Sequence, residues 1–116
     1  MPSYTIWHNP RCSKSRQTLD LLQQHGIEPK VVLYLETPPS VDEIKSVLKK
    51  LNLSAEQIIR KKEMAYAELI HGKSLSADKL VEIMHKNPIL IERPIVISGN
   101  QAAIGRPPEN ILELMK

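Results

Sequence analysis

The 116-residue sequence has no phenylalanine and only four aromatic side chains, Tyr4, Trp7, Tyr34 and Tyr66. Its core must therefore be aliphatic. The aromatic platforms on which single-stranded nucleic acid stacks are scarce, so nucleic acid is not an expected partner. There is one cysteine, Cys12. A single thiol excludes an intramolecular disulfide and any multi-cysteine metal site, and no metal is expected. No run approaches the ~20 apolar residues of a membrane helix. The start of the chain, Met1 to Tyr4, lacks the basic segment and apolar run of a secretory signal. No membrane partner is expected, and the expected compartment is the reducing cytoplasm. Glycine-rich phosphate loops and metalloprotease histidine pairs are missing as well.

The bulk composition, 41% hydrophobic and 25% charged, is that of a soluble globular chain rather than a disordered one. Its length suits one domain, expected over residues 1–116, large enough to bury a core without staples. Sixteen Lys and Arg face thirteen Asp and Glu, a formal charge of +3. That mild excess is compatible with a small oxyanion, a phosphate or a nucleic acid.

Tyr4-Thr-Ile-Trp7 reads as a short first strand, and His8-Asn-Pro-Arg-Cys12 breaks it. From Ser13 the pattern turns helical, with Thr18, Leu19, Leu21 and Leu22 on one side and Gly26 at the position of a helix C′ glycine. Val31-Val-Leu-Tyr-Leu35 reads as a buried strand. The opening is thus strand, loop, helix, strand, with Cys12 between the first strand and its helix. Ser40 and Glu43 spell a capping box ahead of Val41, Ile44, Val47, Leu48 and Leu51 at helical spacing. Ser54 and Gln57 repeat the signature. Further helices are expected over Ala65–Ile70 and from about Ala77 to His85, ending before Asn87-Pro88. Ile95-Val-Ile97 and Ala102-Ala-Ile104 flank Ser98-Gly-Asn-Gln101 as a hairpin would. Pro107-Pro108 opens a last helix carrying Ile111, Leu112 and Met115. This order suits an α/β fold of the thioredoxin kind, a small mixed sheet flanked by helices with an inserted helical block.

Cys12 is the sharpest chemical feature. At a helix N-terminus, unpaired N–H groups and the helix dipole favour an anion and lower a thiol pKa. Arg11, Lys14 and Arg16 surround it with positive charge, and Ser13 and Ser15 offer hydroxyls to sulfur or to a bound oxyanion. A tyrosine-phosphatase-like loop needs Arg six residues after the cysteine, where Thr18 stands. A thioredoxin-like pair needs a second cysteine at Ser15. What remains is a monothiol beside a basic helix start. Of the histidines, only His8 is placed to polarise Cys12; His25, His71 and His85 have no ligand-like spacing. Arg60, Arg93 and Arg106 stand beside apolar or proline-bearing runs. Together they can cage a tetrahedral oxyanion, because guanidinium forks match its oxygens.

His8-Asn-Pro-Arg-Cys-Ser-Lys-Ser-Arg16-Gln-Thr-Leu19, Leu33-Tyr-Leu-Glu-Thr-Pro-Pro39, Ile59-Arg-Lys61, Pro88-Ile-Leu-Ile-Glu-Arg-Pro-Ile-Val96 and Gly105-Arg-Pro-Pro-Glu109 resemble the ArsC family of glutaredoxin-coupled arsenate reductases, in order and nearly from end to end. The loop, with Ser13-Lys14 where prototypes carry Gly-Thr, resembles a neighbouring subgroup. The resemblance implies a thioredoxin-like fold, Cys12 as the nucleophile toward arsenate, and Arg60, Arg93 and Arg106 as the anion-binding arginines. It also implies His8 as the histidine that lowers the thiol pKa, Ser15 as the loop serine, and a cis bond at Pro94. Arg16 completes the supporting set. Glutathione would be a co-substrate rather than a bound cofactor, and a glutaredoxin the partner. Two other readings use the same fold: a redox regulator resembling the Spx-type proteins that bind RNA polymerase, and a monothiol oxidoreductase acting on glutathionylated proteins or other oxyanions.

Overall fold

Tyr4–Trp7 forms the first strand, β1, and its inward residues Ile6 and Trp7 are buried. The computed structural model describes residues 3–115; Met1, Pro2 and Lys116, at the ends of the expected domain, lie outside the described residues. Helix α1 (Ser13–Gln24) leads from β1 to the parallel strand β2 (Lys30–Val32), the crossover that a parallel pair requires. Gly26, with φ of 76°, reverses the chain after the helix. Strands β3 (Ile95–Ser98) and β4 (Gln101–Ile104) make a hairpin whose turn places Gly99 at φ 59°. The sheet order is β2-β1-β3-β4, with β1 antiparallel to β3. Ile6 lies opposite Val96, and Val96 opposite Ala103. Leu22 of α1 and Ile111 of the closing segment complete a fully buried cluster with Ile6 and Val96. Every member is aliphatic, as the missing phenylalanines demand.

One expectation needs correction in this part. The apolar run at 31–35 is not a five-residue buried strand. Only Lys30–Val32 pairs with β1, Val31 is 44% exposed and Leu35 37% exposed. The Leu33 carbonyl accepts from the N–H groups of Glu36 and Thr37, which turns the chain and directs Tyr34 inward. A short apolar run does not say which of its residues anchor a turn. The closing helix expected at Pro107-Pro108 is present as a 3₁₀ helix from Pro108 to Met115.

The chain divides into two compact units, one holding the segments through Thr37 and from Arg93, the other spanning Pro38–Glu92. The second is helical as expected. Ser40 and Glu43 close a reciprocal capping box on α2 (Val41–Leu51). A 3₁₀ turn (Ala55–Ile58), α3 (Met64–Leu69), α4 (Ala77–Lys86) and a 3₁₀ turn (Pro88–Leu90) follow. Ile44 and Val47 of α2 and Leu80, Val81 and Met84 of α4 are buried, and the two helices pack against each other. One isolated antiparallel bridge, Ile59 to Ile91, interrupts the helical pattern.

Strand, helix and parallel strand, then a helical block, an antiparallel hairpin and a closing helix on a mixed sheet make the thioredoxin-like architecture. Among the described residues, four polar ones are buried: His8, Ser15, Thr18 and Ser98. Three of them gather where β1 gives way to α1.

Candidate active site

The loop between β1 and α1 is fixed by its own polar groups. His8 continues the strand by donating its N–H to the Val32 carbonyl at 2.9 Å. Asn9 turns the chain: its Oδ1 accepts from the Arg11 N–H at 3.0 Å, and its carbonyl from the Cys12 N–H at 3.0 Å. The exposed Arg16 closes the loop by donating from Nη1 to the Pro10 carbonyl at 2.9 Å. Inside, the Ser15 hydroxyl accepts from the Asn9 N–H at 3.0 Å and lies 2.6 Å from His8 Nδ1. Ser15 therefore faces the loop's interior and not the sulfur or an oxyanion, whereas Ser13 is exposed.

Cys12 is the N-cap of α1, in extended conformation (φ −93°, ψ 122°). The first turn has neither a side-chain cap hydrogen bond nor an acidic residue. Its N–H dipoles are left to stabilise negative charge on the half-buried sulfur. Burial alone pushes the thiol pKa up. The Ser15 N–H, the Arg93 guanidinium by hydrogen bond and by charge, and the Lys14 N–H together outweigh it and bring the thiol below its ordinary range. His8 is moved down as well, first by burial and then by the Arg16 charge. A neutral imidazole can accept the hydrogen bond of the Ser15 hydroxyl at Nδ1, so His8 bears on the cysteine loop through Ser15.

Arg93 and Arg106 arrive from the other end of the sequence. The Arg93–Pro94 bond is cis, and so is Arg106–Pro107. Arg106 donates from Nε to the Arg93 carbonyl at 2.7 Å and from Nη2 to the Cys12 sulfur at 3.4 Å. The preceding residue holds it there. Gly105 donates its N–H to the Pro94 carbonyl at 2.9 Å and is buried against Thr18. A Cβ at Gly105 would overlap Thr18 Oγ1 and stand 2.9 Å from Pro94 Cγ. A thiol with lowered pKa, two guanidinium groups and a row of helix N–H dipoles make a nucleophile beside an anion-binding surface.

The sequence signature of the ArsC family matches residues 7–114. The chain is 48% identical over 113 residues to an arsenate reductase of Neisseria meningitidis serogroup B, covering 96% of this chain and 97% of that protein. The chain belongs to the ArsC family. It is also 52% identical over 112 residues to the uncharacterized protein YfgD of Escherichia coli K12, covering 95% of this chain and 94% of that one. A solved structure titled arsenate reductase from Vibrio cholerae superposes with a TM-score of 0.93 at 52% identity, covering 97% of each chain.

Within this ArsC chain, seven of the eight expected site residues lie in one unit: His8, Cys12, Ser15, Arg16, Arg93, Pro94 and Arg106. Arg60 lies in the second unit. There its Nε meets Glu63 at 3.2 Å and its Nη1 meets Glu92 at 3.1 Å, while its N–H donates to the Leu90 carbonyl. Sequence reasoning missed Thr18 and Gly105 as supports of the site. Thr18 was visible only as a polar residue on the inward side of α1, and Gly105 only as a small residue next to Arg106.

Proposed function

We propose that this chain is a single catalytic domain acting as an arsenate reductase, in the subgroup with an Asn-Pro-Arg-Cys-Ser-Lys-Ser-Arg loop. The observation that carries the reading is the guanidinium of Arg106 3.4 Å from the sulfur of Cys12, a thiol held below its ordinary pKa. The name of the Neisseria relative, arsenate reductase, supports the choice of oxyanion. Arg93 and Arg106 neutralise and orient arsenate. Arg60 joins them in this proposal on the family resemblance alone.

The Cys12 thiolate attacks arsenic, a sulfur–arsenic bond forms, and one arsenate oxygen leaves as water after protonation. Arsenic is still pentavalent at that point. Reduction needs two electrons, and Cys12 is the one cysteine of the sequence, so external thiols supply them. Glutathione displaces a second oxygen as water and bonds to arsenic through sulfur. A glutaredoxin thiolate then attacks the glutathione sulfur and leaves with it as a mixed disulfide, and the bonding pair stays on arsenic, now trivalent and still bonded to Cys12. Water displaces the Cys12 thiolate from it, which releases arsenite and regenerates the free thiol. No bound cofactor or metal enters this scheme, and the glutathione pool places it in the cytoplasm.

The test is NADPH consumption with arsenate, glutathione, glutaredoxin and glutathione reductase. Consumption should require arsenate and this chain, and Cys12→Ser should abolish it. A Cys12→Ser variant as active as the parent would remove the reading.

A further inference from the structure

Thr18 lies six residues after Cys12, where a phosphatase-like loop would carry an arginine of its own. Here the guanidinium that reaches the sulfur belongs to Arg106 instead. Thr18 is fully buried, and its hydroxyl is shared by two carbonyl groups. One is that of Lys14, 2.8 Å away in the first turn of α1, the common back-bond of a helical threonine. The other is that of Gly105, 3.4 Å away and 87 positions along the chain. Gly105 is buried too, and its carbonyl has no other hydrogen bond among the described residues. The peptide that carries this carbonyl leads directly into Arg106.

We infer that Thr18 is a positioning residue of the anion site: its hydroxyl fixes the Gly105–Arg106 peptide and so sets the Arg106 guanidinium against the Cys12 sulfur. For its place in a reaction this rests on the reading above, but the contact it describes forms without arsenate. The Arg106 side chain has two outer anchors, Nε on the Arg93 carbonyl and Nη2 on the sulfur. They orient the guanidinium but not the backbone from which it hangs. Thr18 supplies that third point. The same hydroxyl bonds the first turn of α1, whose Lys14 N–H also faces the sulfur. One side chain thereby ties the helix start to the distant arginine. Without the hydroxyl, the Gly105 carbonyl is a buried acceptor with nothing to accept, and its peptide must turn to find a donor. Arg106 turns with it. A displaced guanidinium makes a poorer hydrogen bond to the thiolate, so the thiol ionises less readily.

The experiment reads the pH midpoint of iodoacetamide alkylation of Cys12 in the whole chain. It contains no arsenate, so its outcome stands apart from the choice of oxyanion. The sulfur is faced by Arg93, Arg106 and the N–H groups of Lys14 and Ser15, and the variants separate these. Thr18→Val keeps the shape of the side chain and removes the hydroxyl. It should raise the midpoint by about half a pH unit, which leaves roughly threefold less thiolate below it. Thr18→Ala lacks the hydroxyl without crowding its neighbours and should raise the midpoint as well. Thr18→Ser keeps the hydroxyl and should stay at the parent value. Leu22→Val, which loosens the buried cluster near the far end of α1, should stay there too. Arg106→Gln should raise the midpoint by itself, and adding Thr18→Val to it should move the midpoint no further. The inference is overturned if Thr18→Val and Thr18→Ala both keep the parent midpoint, or if Thr18→Ser or Leu22→Val raises it as far as Thr18→Val does. It is overturned equally if Thr18→Val has its full effect in the Arg106→Gln background, since the hydroxyl would then act through the helix start and not through Arg106.

Discussion

Arg106 Nη2 lies 3.4 Å from the sulfur of Cys12 although 94 positions separate the two residues. The guanidinium is held from behind, because Nε is bonded at 2.7 Å to the carbonyl of Arg93. One backbone carbonyl thus ties together the two arginines nearest the thiol. A charged group fixed in this way needs no reorganisation when negative charge appears on sulfur or on a bound oxyanion.

The first consequence is a thiol that ionises more readily than an unperturbed one. Burial opposes it, but the Ser15 N–H, Arg93 and the Lys14 N–H win. The rate of iodoacetamide alkylation against pH should show a midpoint below the ~8.5 of an unperturbed thiol. Arg93→Gln should move that midpoint upward. A parent midpoint at the unperturbed value would mean that burial prevails and the site is not activated.

Much of this arrangement was legible in the sequence because it is local. The capping box at Ser40 and Glu43, the hairpin around Gly99-Asn100 and the seat of Cys12 ahead of α1 follow from residues a few positions apart. The sequence offers the Ser15 hydroxyl to sulfur or to a bound oxyanion and places the residue in α1, where it lies. Its side-chain direction, toward His8 and the Asn9 N–H, depends on His8 being buried beside it. The Thr18–Gly105 contact joins positions 87 apart. A single sequence carries no signal for a pairing at that distance. The run at 31–35 failed for another reason: apolar composition does not separate a strand from a turn anchored by Tyr34.

His8 makes stability depend on pH, with a definite sign. Its folded-state pKa lies below the ordinary value, through burial first and Arg16 second. The unfolded chain therefore binds a proton more readily than the folded one. Stability should be level above the unfolded pKa of about 6.5 and fall as pH drops below it. Urea unfolding at pH 7.5 and pH 5.5 measures the difference. His8→Asn should reduce this loss, because no imidazole remains to be protonated. An unchanged loss in that variant would assign it to other groups.

The arginines should separate oxyanion binding from thiol reactivity. Removing a charge-assisted hydrogen bond costs about 1.5–3 kcal/mol, roughly tenfold or more in efficiency. Lysine restores the charge but not the planar fork. Arg60→Lys, Arg93→Lys and Arg106→Lys should each cut arsenate turnover, with Cys12 labelling retained best in Arg60→Lys, where the substituted side chain normally pairs with Glu63 and Glu92. Parent-like turnover in all three would make these residues surface cations.

Gly105 offers a test of how the site is held, independent of charge. Its Cα is buried where a side chain has no room: an added Cβ would overlap Thr18 Oγ1, stand 3.0 Å from Thr18 Cγ2 and 2.9 Å from Pro94 Cγ. Thr18 cannot simply rotate away, because its hydroxyl donates to the Lys14 carbonyl at 2.8 Å in the first turns of α1. Nor can the 105 segment retreat without giving up the bond from its N–H to the Pro94 carbonyl. Gly105→Ala should therefore destabilise the chain by about 1–3 kcal/mol, the usual cost of overpacking. It should also lower arsenate turnover, since Arg106 is the next residue. Thr18→Ala opens space on one side of the intruding methyl. The double variant Gly105→Ala with Thr18→Ala should be more stable than the sum of the two single changes, with a coupling of about 1 kcal/mol in urea unfolding. Strict additivity would show that the two residues do not press on each other, and that Arg106 is positioned by its hydrogen bonds to Arg93 and Cys12 alone.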